Sequence, residues 1–315
     1  MSKRVYEDIG RGISCIDANY GDFGMACFYL LEHGGECAVI ETGTANSVGN
    51  LQRCMADKSL DSAQVKYVIP THVHLDHAGG AGLMMQSFEQ ASLVVHPKGA
   101  RHLIDPSRLV ASSIDVYGEE KFQYLYGTVV PVESHRVIEA EDDMVLDLGG
   151  RRLRLRFTQG HADHHFCVWD EDSKGWFSGD MFGLSYREMR FEAGNFVMPS
   201  TTPNQFRPEA FIESVALLRS YSPERMYLTH YGELAYSDDL AELLCQQVAA
   251  YQSFAPLYPG QNEALAKHIA DYTLTHLAAV APPDGVEACR LVVESDAALN
   301  AQGLAIWLGR MNISP

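Results

Sequence analysis

The segment Thr71-His72-Val73-His74-Leu75-Asp76-His77 holds three histidines and one aspartate within six residues. Imidazole nitrogens suit Zn, Fe, Ni and Cu, and a carboxylate oxygen extends the range to harder ions. The apolar run Val65–Pro70 before it reads as a short buried strand, and Ala78-Gly79-Gly80-Ala81-Gly82 after it opens a helix. Residues two apart at a strand end point the same way, so His72 and His74 converge on one point. The turn and helix start that follow aim Asp76 and His77 at a second point close by, which predicts two adjacent metal sites rather than one. The glycines permit close approach of the backbone.

Further ligands are expected at other strand ends, where α/β enzymes place functional groups. Gly160-His161-Ala162-Asp163-His164-His165 follows the strand RRLRLRF. Phe177-Ser178-Gly179-Asp180 follows the next hairpin and ends in a carboxylate, and Tyr227-Leu228-Thr229-His230 closes another short strand with a histidine. His161, Asp180 and His230 therefore join the series begun by His72, His74, Asp76 and His77.

The elements that position these residues follow from period and turn chemistry. Gly12–Ala18, Ala26–Leu31 and Cys37–Glu41 read as strands, with Gly34-Gly35 as a hairpin turn between the last two. Residues 45–58 carry a helical stripe of Leu51, Cys54 and Met55, and a helix is predicted from Ala78 to Gln90. Strand signals recur at Ser92–His96, Met144–Leu148, Arg152–Phe157, Phe166–Trp169, Trp176–Ser178 and Met226–Leu228. Residues 97–135 interrupt the alternation and read as inserted helices. Phe211, Ile212, Val215 and Leu218 form another helical stripe, and the pattern is helical from about Ser237 onward, with breaks at Pro259-Gly260 and Pro282–Gly285. The expected class is α/β, with one domain over 1–236 and a helical C-terminal extension over 237–315 packed on it.

The net charge of −17, from 41 acidic against 24 basic residues, argues against nucleic acid and against an anionic membrane surface as partners. It leaves a small-molecule substrate that is not a polyanion. Seven cysteines without a CxxC pair fit buried thiols in a reducing compartment. The start Met-Ser-Lys-Arg-Val-Tyr-Glu-Asp has no apolar signal core, and no run reaches the ~20 apolar residues a membrane span needs. A cytoplasmic protein is expected.

In their order, HxHxDH, GH, GD and a late His, these motifs resemble the metallo-β-lactamase fold superfamily over roughly residues 10–235. The resemblance implies an αββα sandwich, with the inserted helical segment and the helical extension added to it. It implies a first metal on His72, His74 and His161, a second on Asp76, His77 and His230, and Asp180 bridging them. Two divalent ions are implied, zinc foremost, with iron or manganese as alternatives. Where the family has Asp in a DTG context, this chain has Glu41-Thr42-Gly43, which touches fine geometry rather than metal binding. Asp180 stands where zinc β-lactamases of the Cys-containing type place a cysteine, so the resemblance points to the glyoxalase II, lactonase and phosphodiesterase branches.

The implied reaction is attack of a metal-activated hydroxide on a carboxylic ester, lactone or thioester. Asp76 is either the proton acceptor of that reaction or a ligand alone. Tyr186, six residues after Asp180, is either a hydrogen-bond donor to a developing oxyanion, as a tyrosine is in lactonases of this fold, or a packing residue. His165 either supports a neighbouring ligand by hydrogen bond or is a satisfied core histidine. Only Lys267, Arg290 and Arg310 are basic after Ser237, which weakens a glutathione thioester as substrate, since glyoxalase II enzymes hold glutathione with basic residues there. The competing class is an iron enzyme handling oxygen or sulfur on the same scaffold, and a homodimer through the stripe Leu265, Ile269 and Tyr272 is open.

Overall fold

The computed structural model describes residues 5–201 and 204–313, so the first four residues of the N-terminal stretch read above lie outside it. The chain forms two compact units. The first comprises residues up to Phe157, His164–Gly179 and Arg225–Glu233, and the second comprises Thr158–Asp163, Asp180–Glu224 and residues from Leu234 onward.

Seven strands make the first sheet in chain order: β1 (Tyr6–Asp8), β2 (Ile13–Asp17), β3 (Cys27–His33), β4 (Glu36–Ile40), β5 (Val65–Ile69), β6 (Ser92–Val95) and β7 (Val137–Glu139). The first four pair antiparallel, as short connections allow. From β4 onward the pairing is parallel, because the intervening helices carry the chain back. The next strands are β8 (Val145–Leu148), β9 (Arg151–Phe157), β10 (Phe166–Asp170) and β11 (Gly175–Gly179). Two-residue strands β12 (Arg190–Phe191) and β13 (Gly194–Asn195) form a separate hairpin in the second unit. The second sheet is closed by β14 (Arg225–Leu228) and β15 (Gly232–Ala235), in the order β15-β14-β11-β10-β9-β8.

β2, β3 and β4 are largely buried on both faces, as expected for strands covered on two sides. Ile13, Tyr29, Ile40, Leu155, Phe166 and Phe177 interlock between the two sheets as one core. On the other face of the first sheet, Phe28, Val39, Val68 and Leu93 bury against the stripe Leu51, Cys54 and Met55 of helix α1 (Val48–Asp57), as its spacing requires.

The helix predicted from Ala78 to Gln90 is instead two pieces, α2 (Leu75–Ala78) and α3 (Ala81–Ser87). The ligand motif itself winds the first turn, Gly80 starts the second helix, and Phe88 leaves the helical region at φ −119°, ψ 80°. The inserted segment forms α4 (Pro97–Ile104), α5 (Ser107–Tyr117) and α6 (Glu119–Tyr126). The His96 ring accepts from the Lys98 amide and Pro97 takes the first helical position, which together fix the start of α4.

In the second unit α7 (Pro208–Ser220) carries the predicted stripe of Phe211, Val215 and Leu218, all buried. The tail folds as α8 (Asp238–Phe254), α9 (Asn262–Leu277) and α10 (Pro283–Ile313). The second break falls just before Pro283 rather than across Pro282–Gly285, because proline at the first helical position initiates a helix. Leu265, Ile269 and Leu277 are buried, and the Tyr251 and Thr273 hydroxyls meet at 2.5 Å between α8 and α9. Among the described residues no helix is long and apolar enough to cross a membrane.

Candidate metal centre

The first unit brings five of the seven predicted ligands to the same end of its strands. His72 is buried where β5 runs out. His74 caps α2, and its Nδ1 lies 2.8 Å from Nε2 of His72. Two imidazole nitrogens that close either share one proton or bind a common cation. Asp76 and His77 sit within α2, and His230 follows β14. Asp76 Oδ2 is 3.4 Å from His230 Nε2 and 3.7 Å from His77 Nε2. The donor atoms of Asp76, His77 and His230 all lie within 4.8 Å of one another. Two imidazoles and a carboxylate at this spacing are a donor set able to hold a divalent metal ion.

The remaining ring nitrogens are held by fixed acceptors, which sets which nitrogen faces the centre. His77 Nδ1 is 3.0 Å from Glu41 Oε1, and His230 Nδ1 is 2.7 Å from the Met25 carbonyl. Glu41 is almost fully buried and has a left-handed backbone (φ 62°). That conformation costs a non-glycine residue about 1–2 kcal/mol. Its carboxylate also accepts from the Thr71 amide (2.9 Å), the Thr71 hydroxyl (2.5 Å) and the Thr229 hydroxyl (3.2 Å). With both oxygens so engaged, Glu41 orients His77, although it too lies among donor atoms able to group around an ion. The substitution of Glu for the family's Asp is thus accommodated by a complete hydrogen-bond set.

Sequence reasoning did not assign Thr71, Thr229 or the Met25 carbonyl. A threonine precedes a predicted ligand at both Thr71-His72 and Thr229-His230, and that repeat was the available signal. The Met25 carbonyl has none, since any residue supplies one. His165 is buried with its ring 5.0 Å from that of His72, and His164 stacks at 6.1 Å from His72 while its Nδ1 accepts from the Val73 amide at 3.4 Å. His164 therefore supports the motif by a hydrogen bond, and His165 packs against it. Gly179 adopts φ 51°, and a Cβ there would strike the Thr71 hydroxyl and come within 2.6 Å of His165 Nε2. Glycine in the GD motif is therefore a packing requirement of the histidine cluster.

His161 and Asp180 belong to the second unit. There His161 Nε2 lies 3.5 Å from Asp180 Oδ2, and His161 Nδ1 is 3.1 Å from the Ser200 carbonyl. The Ser200 hydroxyl donates to Asp180 Oδ2 at 3.2 Å, so the pair is held as the first unit holds its histidines. Gly160 precedes His161 at φ 125°, and a Cβ there would overlap the Phe211 backbone at the start of α7. Tyr186 is buried just before the short turn Arg187–Met189 in the same unit.

The sequence profile of the Metallo-beta-lactamase superfamily matches residues 21–230. The metallo-beta-lactamase fold-containing protein ST1585 of Sulfurisphaera tokodaii is 28% identical over 227 residues, 70% of this chain and 79% of that protein. The solved structure of an archaeal protein of that designation superposes with a TM-score of 0.62 at 27% identity, covering 76% of this chain and 86% of that one. The acyl-coenzyme A thioesterase MBLAC2 of Gallus gallus is 31% identical over 188 residues, 56% of this chain and 65% of that protein. The N-acyl homoserine lactonase AttM of Rhizobium radiobacter is 28% identical over 165 residues, 44% of this chain and 56% of that protein. With two apposed sheets, a histidine–aspartate cluster at their strand ends and the profile match spanning every motif from Glu41 to His230, the chain belongs to the metallo-β-lactamase superfamily.

Proposed function

We propose that the chain is a metal-dependent hydrolase of carboxylic ester, lactone or thioester bonds. The observation that carries the reading is the donor set of Asp76, His77 and His230 beside the converging nitrogens of His72 and His74, with outward nitrogens fixed by Glu41 and Met25. By the family's motif order, His161 would join His72 and His74 on one ion, Asp76, His77 and His230 would hold the other, and Asp180 would serve as a further ligand. When bound, two divalent ions polarise a carbonyl and bring the pKa of a water toward neutrality.

The chain's own groups do the rest. Glu41 and the Met25 carbonyl hold His77 and His230 with Nδ1 turned away from the centre. Asp76, whose Oδ2 lies beside both rings as a donor atom, is assigned the proton acceptor through its other carboxylate oxygen. Tyr186 is assigned the donor to a developing oxyanion. The thioesterase and lactonase among the relatives support an acyl carbon as the point of attack, and the charge of −17 disfavours polyanionic substrates.

Metal content per chain tests the reading, on protein grown with zinc and iron both available and purified without a metal-affinity step. About two zinc ions, with turnover on a lactone and thioester panel, is the expected result. His72→Ala and Asp180→Ala are each expected to lose metal and turnover together. Predominant iron with oxygen consumption, or full hydrolysis by either variant, overturns the proposal.

A further inference from the structure

Helix α10 buries Cys289, Val293, Ala297, Ala301 and Leu304, and among these apolar residues sits one amide, Asn300, itself 2% exposed. A buried amide costs free energy unless its hydrogen bonds are made. Asn300 makes them to one three-residue segment remote in the chain. Its Oδ1 accepts from the Thr201 amide at 2.7 Å, and its Nδ2 donates to the Pro199 carbonyl at 3.0 Å. The Thr201 hydroxyl lies 3.0 Å from both Oδ1 and the main-chain carbonyl of Asn300. Ser200, between Pro199 and Thr201, is thereby gripped through both neighbours.

Ser200 is also the residue that holds His161 and Asp180. Its carbonyl is 3.1 Å from His161 Nδ1, and its hydroxyl donates to Asp180 Oδ2 at 3.2 Å. A carbonyl only accepts, so it keeps the proton on Nδ1 and leaves the lone pair on Nε2, the nitrogen a cation takes. Further anchors come from the same C-terminal helices. Gln247 of α8, fully buried, donates from Nε2 to the Val197 carbonyl at 2.7 Å. Arg310 of α10 donates to the Asn204 and Phe206 carbonyls at 2.7 and 2.6 Å. The next residue, Arg207, donates its amide to the Gly160 carbonyl at 2.8 Å and so braces the turn that carries His161. All these residues belong to the second unit. The superfamily profile ends at residue 230, so Gln247, Asn300 and Arg310 lie beyond it.

A leucine at position 300 would suit the apolar side of α10 as its neighbours do, so helix packing does not call for the amide. We infer that Asn300 of the C-terminal extension is a positioning residue for the metal centre: it fixes Ser200, and Ser200 fixes the orientation of His161 and Asp180. This rests on the assignment of those two residues as metal ligands in the reading above, and not on which bond is cleaved.

The test is zinc titration of the full, metal-free chain against a chromophoric chelator, with a urea midpoint for each variant. Asn300→Leu is expected to weaken at least one bound zinc equivalent about tenfold or more, as loss of a contact that orients a ligand does. Leu304→Ala opens a cavity beside the same helix without removing a hydrogen bond. It should lower the urea midpoint and leave both zinc affinities unchanged, which separates positioning from a general loss of stability. Thr201→Val removes the hydroxyl but keeps the amide, and a smaller weakening of the same equivalent is expected. If Asn300→Leu does not fold, Thr201→Val decides alone. Wild-type zinc affinities in the folded variants of Asn300 and Thr201 overturn the inference, and so does an equal loss in Leu304→Ala. An affinity that depends on Asn300 in a chain that cleaves no ester, lactone or thioester upholds the inference and removes the hydrolase reading. Turnover in a chain whose zinc affinities ignore Asn300→Leu does the reverse.

Discussion

Glu41 Oε1 lies 3.0 Å from His77 Nδ1, joining the end of β4 to the ligand-bearing turn 36 residues later. The same carboxylate gathers Thr71 and Thr229, so one buried side chain ties together the three segments that carry His72, His77 and His230. Glu41→Asp shortens the side chain by one methylene and cannot keep both the Thr71 amide and His77. Loss of such a supporting contact typically weakens metal binding 10–100-fold. Titration against a chromophoric chelator should show that loss, and wild-type affinity in Glu41→Asp would remove the role assigned to the residue.

Gly179→Ala should disturb the centre without touching a ligand. The added Cβ meets the Thr71 hydroxyl and His165 Nε2, and the left-handed backbone adds about 1–2 kcal/mol. A lower urea midpoint together with weaker metal binding is expected. An unchanged midpoint would mean that β11 moves aside freely.

Arg151 and Asp170 form a buried ion pair between β9 and β10, with Arg151 Nε donating to Asp170 Oδ1 at 2.8 Å and Nη1 to the Arg11 carbonyl at 2.7 Å. Arg151→Met leaves the Asp170 carboxylate uncompensated, which typically costs 3–5 kcal/mol. Chemical denaturation should give a drop of about that size. The double variant Arg151→Met, Asp170→Leu should recover much of it, and no recovery would contradict the pair as the cause.

Burial pushes the thiols of Cys37, Cys54 and Cys289 up to about 11, from an ordinary 9.0. These groups hold their protons in the fold at pH values where the unfolded chain has begun to lose them. Their contribution to stability is therefore constant below about pH 9 and falls as pH rises from there through 11. The stability slope above pH 9 should flatten in a Cys37→Ala, Cys54→Ala variant. At pH 8 a thiol reagent should label the native chain slowly and all seven cysteines after unfolding.

The ligand motifs were legible because the chemistry is local. Residues 72–77 are placed by one strand end and one helical turn, and period alone predicts where those lie. Apolar alternation likewise located β2 to β6 and β8 to β11 and the stripes of α1 and α7. Short elements were not legible. β1 and β7 have three residues each, and β12 and β13 two, too few to carry a period; they exist because a neighbour offers hydrogen bonds.

Sequence by itself pointed to the superfamily and to the candidate metal-binding side chains, and to Val65–Pro70 as a buried strand. Tertiary structure decided what holds those side chains. Glu41 reaches Thr71 because β4 and β5 pair in parallel with Ile40 opposite Ile69, and it reaches Thr229 across 188 residues of chain. Leu75 leaves the main core for the inserted helices for the same kind of reason. Such contacts join residues remote in the chain, and they depend on which strands become neighbours, which local propensity does not encode.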